Sequence, residues 1–170
     1  MIFLGIGSNL NSKFGDRFKN IDLSIALLES YKIDIIKKSN FYETPSYPDE
    51  TNPKFINVVV KISTKLSPKE FISAIVSIEE KLERKRELKN EPRTCDIDIL
   101  DYDGKITNFT YKNLIFTVPH EQLNYRNFVL FPLKEIAPEW QHPKTKEKIN
   151  TLITGLSEHN RKSILKITKN

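Results

Sequence analysis

Four strands and two helices in the order β-α-β-β-α-β make this an α+β chain, and three observations carry that expectation. Short apolar, β-branched segments near residues 2–8, 33–41, 55–63 and 93–100 read as strands whose side chains point alternately to two faces. Between the first and second of these segments, and between the third and fourth, apolar residues recur at helical spacing. At 170 residues and 38% hydrophobic content the chain is long enough for one packed core, so residues 1–170 are expected to form a single domain.

The first strand runs Ile2 to Ser8, with Ile2, Leu4 and Ile6 on one face and Phe3, Gly5 and Gly7 on the other. Phe18, Ile21, Ile25 and Leu28 then predict a helix from Asp16 to Glu29. A second strand is expected over Ile33 to Phe41, followed by an irregular stretch from Tyr42 to Lys54. Phe55 to Ser63 (FINVVVKIS) is rich in β-branched residues and reads as the third strand, with Ile56, Val58, Val60 and Ile62 opposite Phe55, Asn57 and Val59. Ser67-Pro68-Lys69-Glu70 opens the second helix: Ser caps, Pro fits the first turn, and Glu stands three residues after the Ser. Its stripe runs Ile72, Ile75, Leu82, and Glu79 lies in that same stripe. The fourth strand is RTCDIDIL, residues 93–100. This is a ferredoxin-like arrangement, an antiparallel sheet with both helices on one face. The other face is left for the remaining chain or a ligand. Beyond residue 100, DYDGK reads as a turn, Asn127 to Glu135 as a short helix stopped by Pro138, and Lys148 to Leu156 as a terminal helix. The C-terminal extension is thus expected to hold short helices and turns.

Bulk properties exclude several classes. Lys+Arg 27 against Asp+Glu 22 leaves a net charge of +5, which suits a nucleotide, a nucleic acid or a soluble surface and chooses none of them. One cysteine, Cys95, rules out an intrachain disulfide and a Cys-based metal site. The run Ile2 to Ile6 is too short for a signal-peptide core, and no stretch approaches a membrane span. A cytoplasmic, monomeric protein without membrane or nucleic-acid partners is the expectation.

Two carboxylates interrupt the fourth strand. Residues i and i+2 of a strand project to one face about 7 Å apart, so Asp96 and Asp98 can grip hard cations that also bind phosphate oxygens, and two metals about 4 Å apart recur in phosphoryl transfer. A bare D-x-D is equally the wet face of an edge strand. The stretch KLERKRELKNEPR (81–93) bears on that choice, with six Lys/Arg against three Glu immediately before the pair. Such a segment suits a polyphosphate. Lys85, Glu87 and Lys89 read as well as a solvated helix tail, whereas Arg93 lies beside the strand itself. No Gly-rich phosphate cradle follows Gly5 and Gly7; they leave room for a ligand lying flat on the sheet. Phe55 beside Asn57, a second ring at Phe128, and Thr44-Pro45 suit a planar heterocycle. Each Phe taken singly is also ordinary core. His120 stands in a polar segment with Arg126 six residues on, while His142 and His159 read as structural or surface.

Six stretches in order, GIGSNL (5–10), FYETP (41–45), FINVVV (55–60), IEEKLERKR (78–86), PRTCDIDIL (92–100) and VPHEQLNYRNFVLFPLKEIAPE (118–139), resemble the 6-hydroxymethyl-7,8-dihydropterin pyrophosphokinase family of folate biosynthesis. The resemblance covers roughly the first 140 residues. It implies transfer of pyrophosphate from ATP to 6-hydroxymethyl-7,8-dihydropterin with release of AMP, on a ferredoxin-like fold. It implies that Asp96 and Asp98 bind two Mg²⁺ ions. Arg84 and Arg93 correspond to catalytic arginines on the triphosphate, and Arg86, His120 and Arg126 to further ATP-binding positions. Thr117 and Ile99 match residues near the nucleoside, Ile99 through its main chain because its side chain faces away from the aspartates. Thr44, Pro45, Tyr47, Phe55, Asn57 and Phe128 match the pterin pocket, and Glu79 a carboxylate at the active-site edge. Loops 42–54 and 83–94 would close over the ligands. Where the family usually shows RWGPRT this chain reads LKNEPRT, without the Trp and about one residue shorter, and Glu121 replaces a common aromatic or Pro. Those departures bear on loop closure and nucleotide affinity. Two other functions share parts of this pattern. A palm-type nucleotidyltransferase also pairs aspartates on such a sheet but would release pyrophosphate. An RNA-binding module would use exposed aromatics, which an acidic pair in mid-sheet opposes.

Overall fold

The sheet is built outward from its most apolar segment. In the computed structural model, which describes residues 1–86 and 90–168, the strand β4 (Phe55–Thr64) pairs antiparallel with β1 (Ile2–Ser8), as its β-branched run predicts. On the far edge of β1 lies β5 (Asp96–Tyr102), also antiparallel. On the other edge of β4 the chain expected as one strand over 33–41 divides in two, β2 (Ile33–Lys38) and β3 (Phe41–Thr44), each pairing with β4. Ser39 is the cause. Its N–H donates to Val59 O and its Oγ accepts from Val59 N, so a side chain replaces the ladder for one step. The chain then continues in strand to Thr44, where an irregular stretch was expected. A last strand, β8 (Leu165–Ile167), extends β3 and completes a six-stranded sheet.

Helices α1 (Arg17–Ser30) and α2 (Pro68–Lys81) pack on one face. Asp16 caps α1 through Lys19 N at 2.9 Å, and Ser67 with Glu70 forms the expected capping box on α2. Between helices and sheet lies the larger core, with Leu4, Ile6, Val58, Val60, Ile75 and Ile97 among its buried members. Each such side chain contributes about 1.5–3 kcal/mol on leaving water.

The opposite face is shared. Phe3, Val59 and Leu100 point there into a second core closed by α3 (Asn127–Ile136) and α4 (Ile149–Gly155). The register of β1 against β5 skips Leu100, so Leu100 and Asp101 both turn toward this core, where Asp101 accepts from Trp140 Nε1 at 2.8 Å. Two features of the extension differ from expectation. A hairpin of β6 (Thr107–Tyr111) and β7 (Leu114–Val118) stands where no strand was read. The helix α4 is not terminal, being followed by α5 (Glu158–Lys162) and β8. The extension therefore holds strands as well as short helices and turns. Among the described residues no helix is long and apolar enough to cross a membrane.

Candidate active site

The part of the second face that α3 and α4 leave open is a cleft over β1 and β4, and its floor is glycine. A Cβ on Gly7 would stand 3.1 Å from Asn57 Oδ1 and 3.5 Å from the Phe55 ring, so a larger residue would crowd both. Phe55 and Phe128 wall this cleft, and Thr44, Pro45 and the exposed Tyr47 line its mouth. Asn57 is buried and donates to Thr44 Oγ1 at 3.1 Å and to Tyr42 O at 3.4 Å. With its nitrogen so engaged, the amide oxygen lies over Gly7. All six residues expected around a pterin are therefore gathered at one cleft.

A second pocket lies on the other side of the aspartates. Arg84, Arg86, Thr117 and His120 line it, together with Ile99, whose side chain is buried in the larger core as strand alternation predicts. Ile97 of β5 also lines it, as do Ile115, Phe116 and Glu121, supplied by or next to the unexpected hairpin. The β-branched and aromatic content of LIFTV (114–118) was the signal for that strand. Asp96 and Asp98 line both pockets, which makes them the shared wall. Two residues expected on the nucleotide side, Arg93 and Arg126, line the aromatic cleft instead: their guanidinium groups lie 5.0 Å from the Phe55 ring and 5.4 Å from the Phe128 ring.

Arginines meet each aspartate. Arg84 Nη1 donates to Asp96 Oδ1 at 2.6 Å and Arg93 Nε to Asp96 Oδ2 at 2.7 Å. Arg126 Nη1 donates to Asp98 Oδ2 at 2.9 Å. Burial works against the charge on Asp96, but Arg84 and Arg93 outweigh it and hold the carboxyl down to about 2. Asp98 moves the other way, raised by burial and by the neighbouring Asp96 charge. Burial lowers the His120 imidazole despite Asp98, and its Nδ1 accepts from Gln122 N at 3.1 Å.

Glu79 differs from expectation. It lies beneath the site, 1% exposed, and lines neither pocket. It accepts from Arg84 Nη1, from Arg86 Nη2 and, at 2.8 Å, from Ile97 N. Burial pushes its carboxyl up to about 7, against the pull of Arg84 and Arg86. Near the C-terminal end of α2 a carboxylate is poorly placed for the helix dipole, so the two arginines offset that cost. Arg84 Nε is buried and has no hydrogen-bond partner among the described residues. Glu87, Leu88 and Lys89, with the solvated-tail reading of Glu87 and Lys89 and that part of the LKNEPRT departure, lie outside the described residues.

The aspartates offer hard oxygen donors, and the described residues hold no cluster of three or more His, Cys, Asp and Glu for a metal. Two carboxylates alone do not complete a shell. They fit Mg²⁺, which is commonly held by one or two carboxylates plus phosphate oxygens.

Comparisons with known proteins agree in direction. A family model described as 7,8-dihydro-6-hydroxymethylpterin-pyrophosphokinase matches residues 3–138. A 2-amino-4-hydroxy-6-hydroxymethyldihydropteridine pyrophosphokinase of Aquifex aeolicus is 37% identical over 142 residues, 84% of this chain and 83% of that protein. Its counterpart in Bacillus subtilis is 35% identical over 84% of this chain and 81% of its own length. The folic acid synthesis protein fol1 of Schizosaccharomyces pombe is 32% identical over 91% of this chain, which spans only 20% of that protein. In structure, a Plasmodium falciparum HPPK-DHPS crystallised with pteroate superposes with a TM-score of 0.69 at 16% identity, over 89% of this chain and 43% of that one. That likeness concerns the fold.

Proposed function

The chain belongs to the 7,8-dihydro-6-hydroxymethylpterin-pyrophosphokinase family, and from that premise we propose that it transfers pyrophosphate from ATP to the hydroxymethyl oxygen of 6-hydroxymethyl-7,8-dihydropterin, giving AMP and the pterin diphosphate in folate biosynthesis. The observation that carries this reading is the wall shared by the two pockets. An aromatic cleft of a flat ring's shape meets an arginine-lined pocket at Asp96 and Asp98, so an acceptor alcohol and a polyphosphate would face one another across the aspartates.

In this reading the pterin lies between Phe55 and Phe128 over Gly7, with Asn57 and Thr44 meeting its polar edge and Pro45 and Tyr47 at the rim. ATP occupies the second pocket, its phosphates near Arg84, Arg86 and His120 and its nucleoside near Thr117 and the main chain of Ile99. The hydroxymethyl oxygen attacks the β-phosphorus, the bond from that phosphorus to the α-bridging oxygen breaks, and AMP leaves. The hydroxyl proton passes to water. Asp96 and Asp98 would hold Mg²⁺, two ions on this reading, which supplies charge neutralisation between the carboxylates and the phosphate oxygens. Arg84 and Arg93 then exchange Asp96 for the triphosphate and offset the charge that develops on the departing AMP. Arg126 stacks on Phe128 and turns toward the phosphates from the pterin side. Glu79 keeps Arg84 and Arg86 in place from below. Positioning and charge are most of what in-line phosphoryl transfer requires.

We place the protein among monomeric, cytoplasmic enzymes of one domain, with ATP and the pterin as its partners. Product analysis tests the reaction: with Mg²⁺, ATP and 6-hydroxymethyl-7,8-dihydropterin, AMP forms in step with the pterin diphosphate. Release of free pyrophosphate in its place would identify a nucleotidyltransferase and overturn the assignment.

A further inference from the structure

The functional reading leaves one part of GIGSNL unexplained, the polar residue at its end. Asn9 follows β1 and is 2% exposed, yet it touches neither ligand pocket. Its hydrogen-bonding groups divide between two distant segments. Toward one side, Asn9 N donates to Arg93 O at 3.0 Å and Asn9 Oδ1 accepts from Arg93 N at 2.7 Å. Toward the other, Asn9 Nδ2 donates to Ser46 Oγ at 3.1 Å and to Pro53 O at 3.0 Å. Ser46 Oγ itself donates to Pro53 O at 2.6 Å, so one amide group pins both ends of the loop 46–53.

Both segments reach the site. Loop 46–53 connects Thr44 and Pro45 to Phe55 and carries Tyr47, all of them at the aromatic cleft. Arg93 precedes β5, and its side chain joins Asp96, which Arg84 also meets, to the Phe55 ring. We propose that Asn9 couples the two substrate sites: it is the positioning residue that holds the loop over the pterin and the Arg93 backbone beside Asp96, the wall of both pockets, in one arrangement. The proposal rests on the pyrophosphokinase reading. Because the amide is buried, a shift of either loop must carry the other with it or leave a buried donor or acceptor unpaired. The chain of contacts is short and continuous, running Ser46, Asn9, Arg93, Asp96. A ligand that settles one loop thereby pre-arranges the other, which is positive coupling between sites.

Titration calorimetry on the full chain tests this, measuring 6-hydroxymethylpterin binding with and without Mg²⁺ and α,β-methylene-ATP. In the wild type the nucleotide analogue raises pterin affinity; no rise at all would overturn the coupling, whereas failure of the functional reading would show separately as absence of pterin-dependent AMP formation. Asn9→Asp keeps an acceptor for Arg93 N–H and removes both donors to Ser46 and Pro53, cutting one arm only. With its thermal midpoint near that of the wild type, it should bind each ligand alone within about twofold of normal while the nucleotide-induced gain in pterin affinity falls about tenfold. Ser46→Ala removes the acceptor for Asn9 Nδ2 and the donor to Pro53 O, leaves the Asn9–Pro53 bond in place, and should lose part of the gain. A gain unchanged in both variants overturns the coupling role. So does a pterin affinity that drops equally with and without the nucleotide, which would mark Asn9 as a structural anchor.

Discussion

Asp96 and Asp98 differ by two positions and share a face, yet their carboxyls shift in opposite directions. The difference is in their partners, two arginines on Asp96 and one on Asp98. The proposed metal role makes both essential. Asp96→Ala and Asp98→Ala should each lower pterin-dependent AMP formation by about 10³-fold or more while the circular dichroism spectrum is kept; near-normal turnover in either would sink the assignment. Arg93→Ala should lower kcat by about 10²–10³-fold, and a change confined to ATP binding would contradict its place in the chemistry. Gly7 supports a separate expectation. Gly7→Ala sets a methyl 3.1 Å from Asn57 Oδ1, so pterin affinity should fall about tenfold, roughly 1.4 kcal/mol, with ATP-analogue affinity unchanged. At this scale the residues with chemical side chains on a regular strand were legible from the sequence. Glu79 was legible as part of a helix stripe, but its depth and its hold on two arginines were not, because they depend on how far α2 runs under β5.

The break between β2 and β3 shows how an element is shaped by something remote from it. Asn40, left without a ladder partner at the break, donates from its backbone N to Glu135 Oε1 at 3.0 Å and from Nδ2 to the same oxygen at 2.7 Å. Tyr42 OH donates to Glu135 Oε2 at 2.6 Å. One carboxylate on α3 thus ties the break and β3 to the second layer and directs the chain toward Thr44. Burial disfavours the Glu135 charge, but the bonds from Tyr42 and Asn40 outweigh it and keep the carboxyl below its ordinary value, while burial and Glu135 raise the Tyr42 hydroxyl. A carboxyl depressed on folding adds stability above its unfolded value of about 4.3, and that contribution disappears as pH falls through the lower folded value. Glu135→Gln should therefore cost about 1–2 kcal/mol at pH 7, and urea titrations from about pH 5 down to 3 should bring the two proteins together. Parallel curves over that interval would exclude the clamp. The sequence could show that residues 33–41 are extended; it could not show that Ser39 enters the ladder of β4 or that the strand runs on to Thr44.

Two cores on opposite faces of one sheet support the site from both sides, and the C-terminal segment joins them. Asn127, at the start of α3 beside Phe128, donates from Nδ2 to Asn160 O at 2.7 Å and to Ser163 Oγ at 3.1 Å, while β8 lies along β3. A chain ending at Leu156 should unfold several degrees lower and lose more affinity for the pterin than for the nucleotide analogue; equal losses would separate this segment from the aromatic cleft. The strands β1, β4 and β5, the two long helices with the cap of α2, the acidic pair and the basic stretch before it were determined by the sequence alone. Each depends on residues a few positions apart, where periodicity and capping act directly. The tertiary structure decided what meets what. It joined Asn9 to Ser46 and Arg93 across separations of 37 and 84 residues, set the β6–β7 hairpin against the second pocket, and made Asp96 and Asp98 a wall common to two pockets. Contacts of that kind depend on the packing of whole layers, whose closure no local pattern encodes.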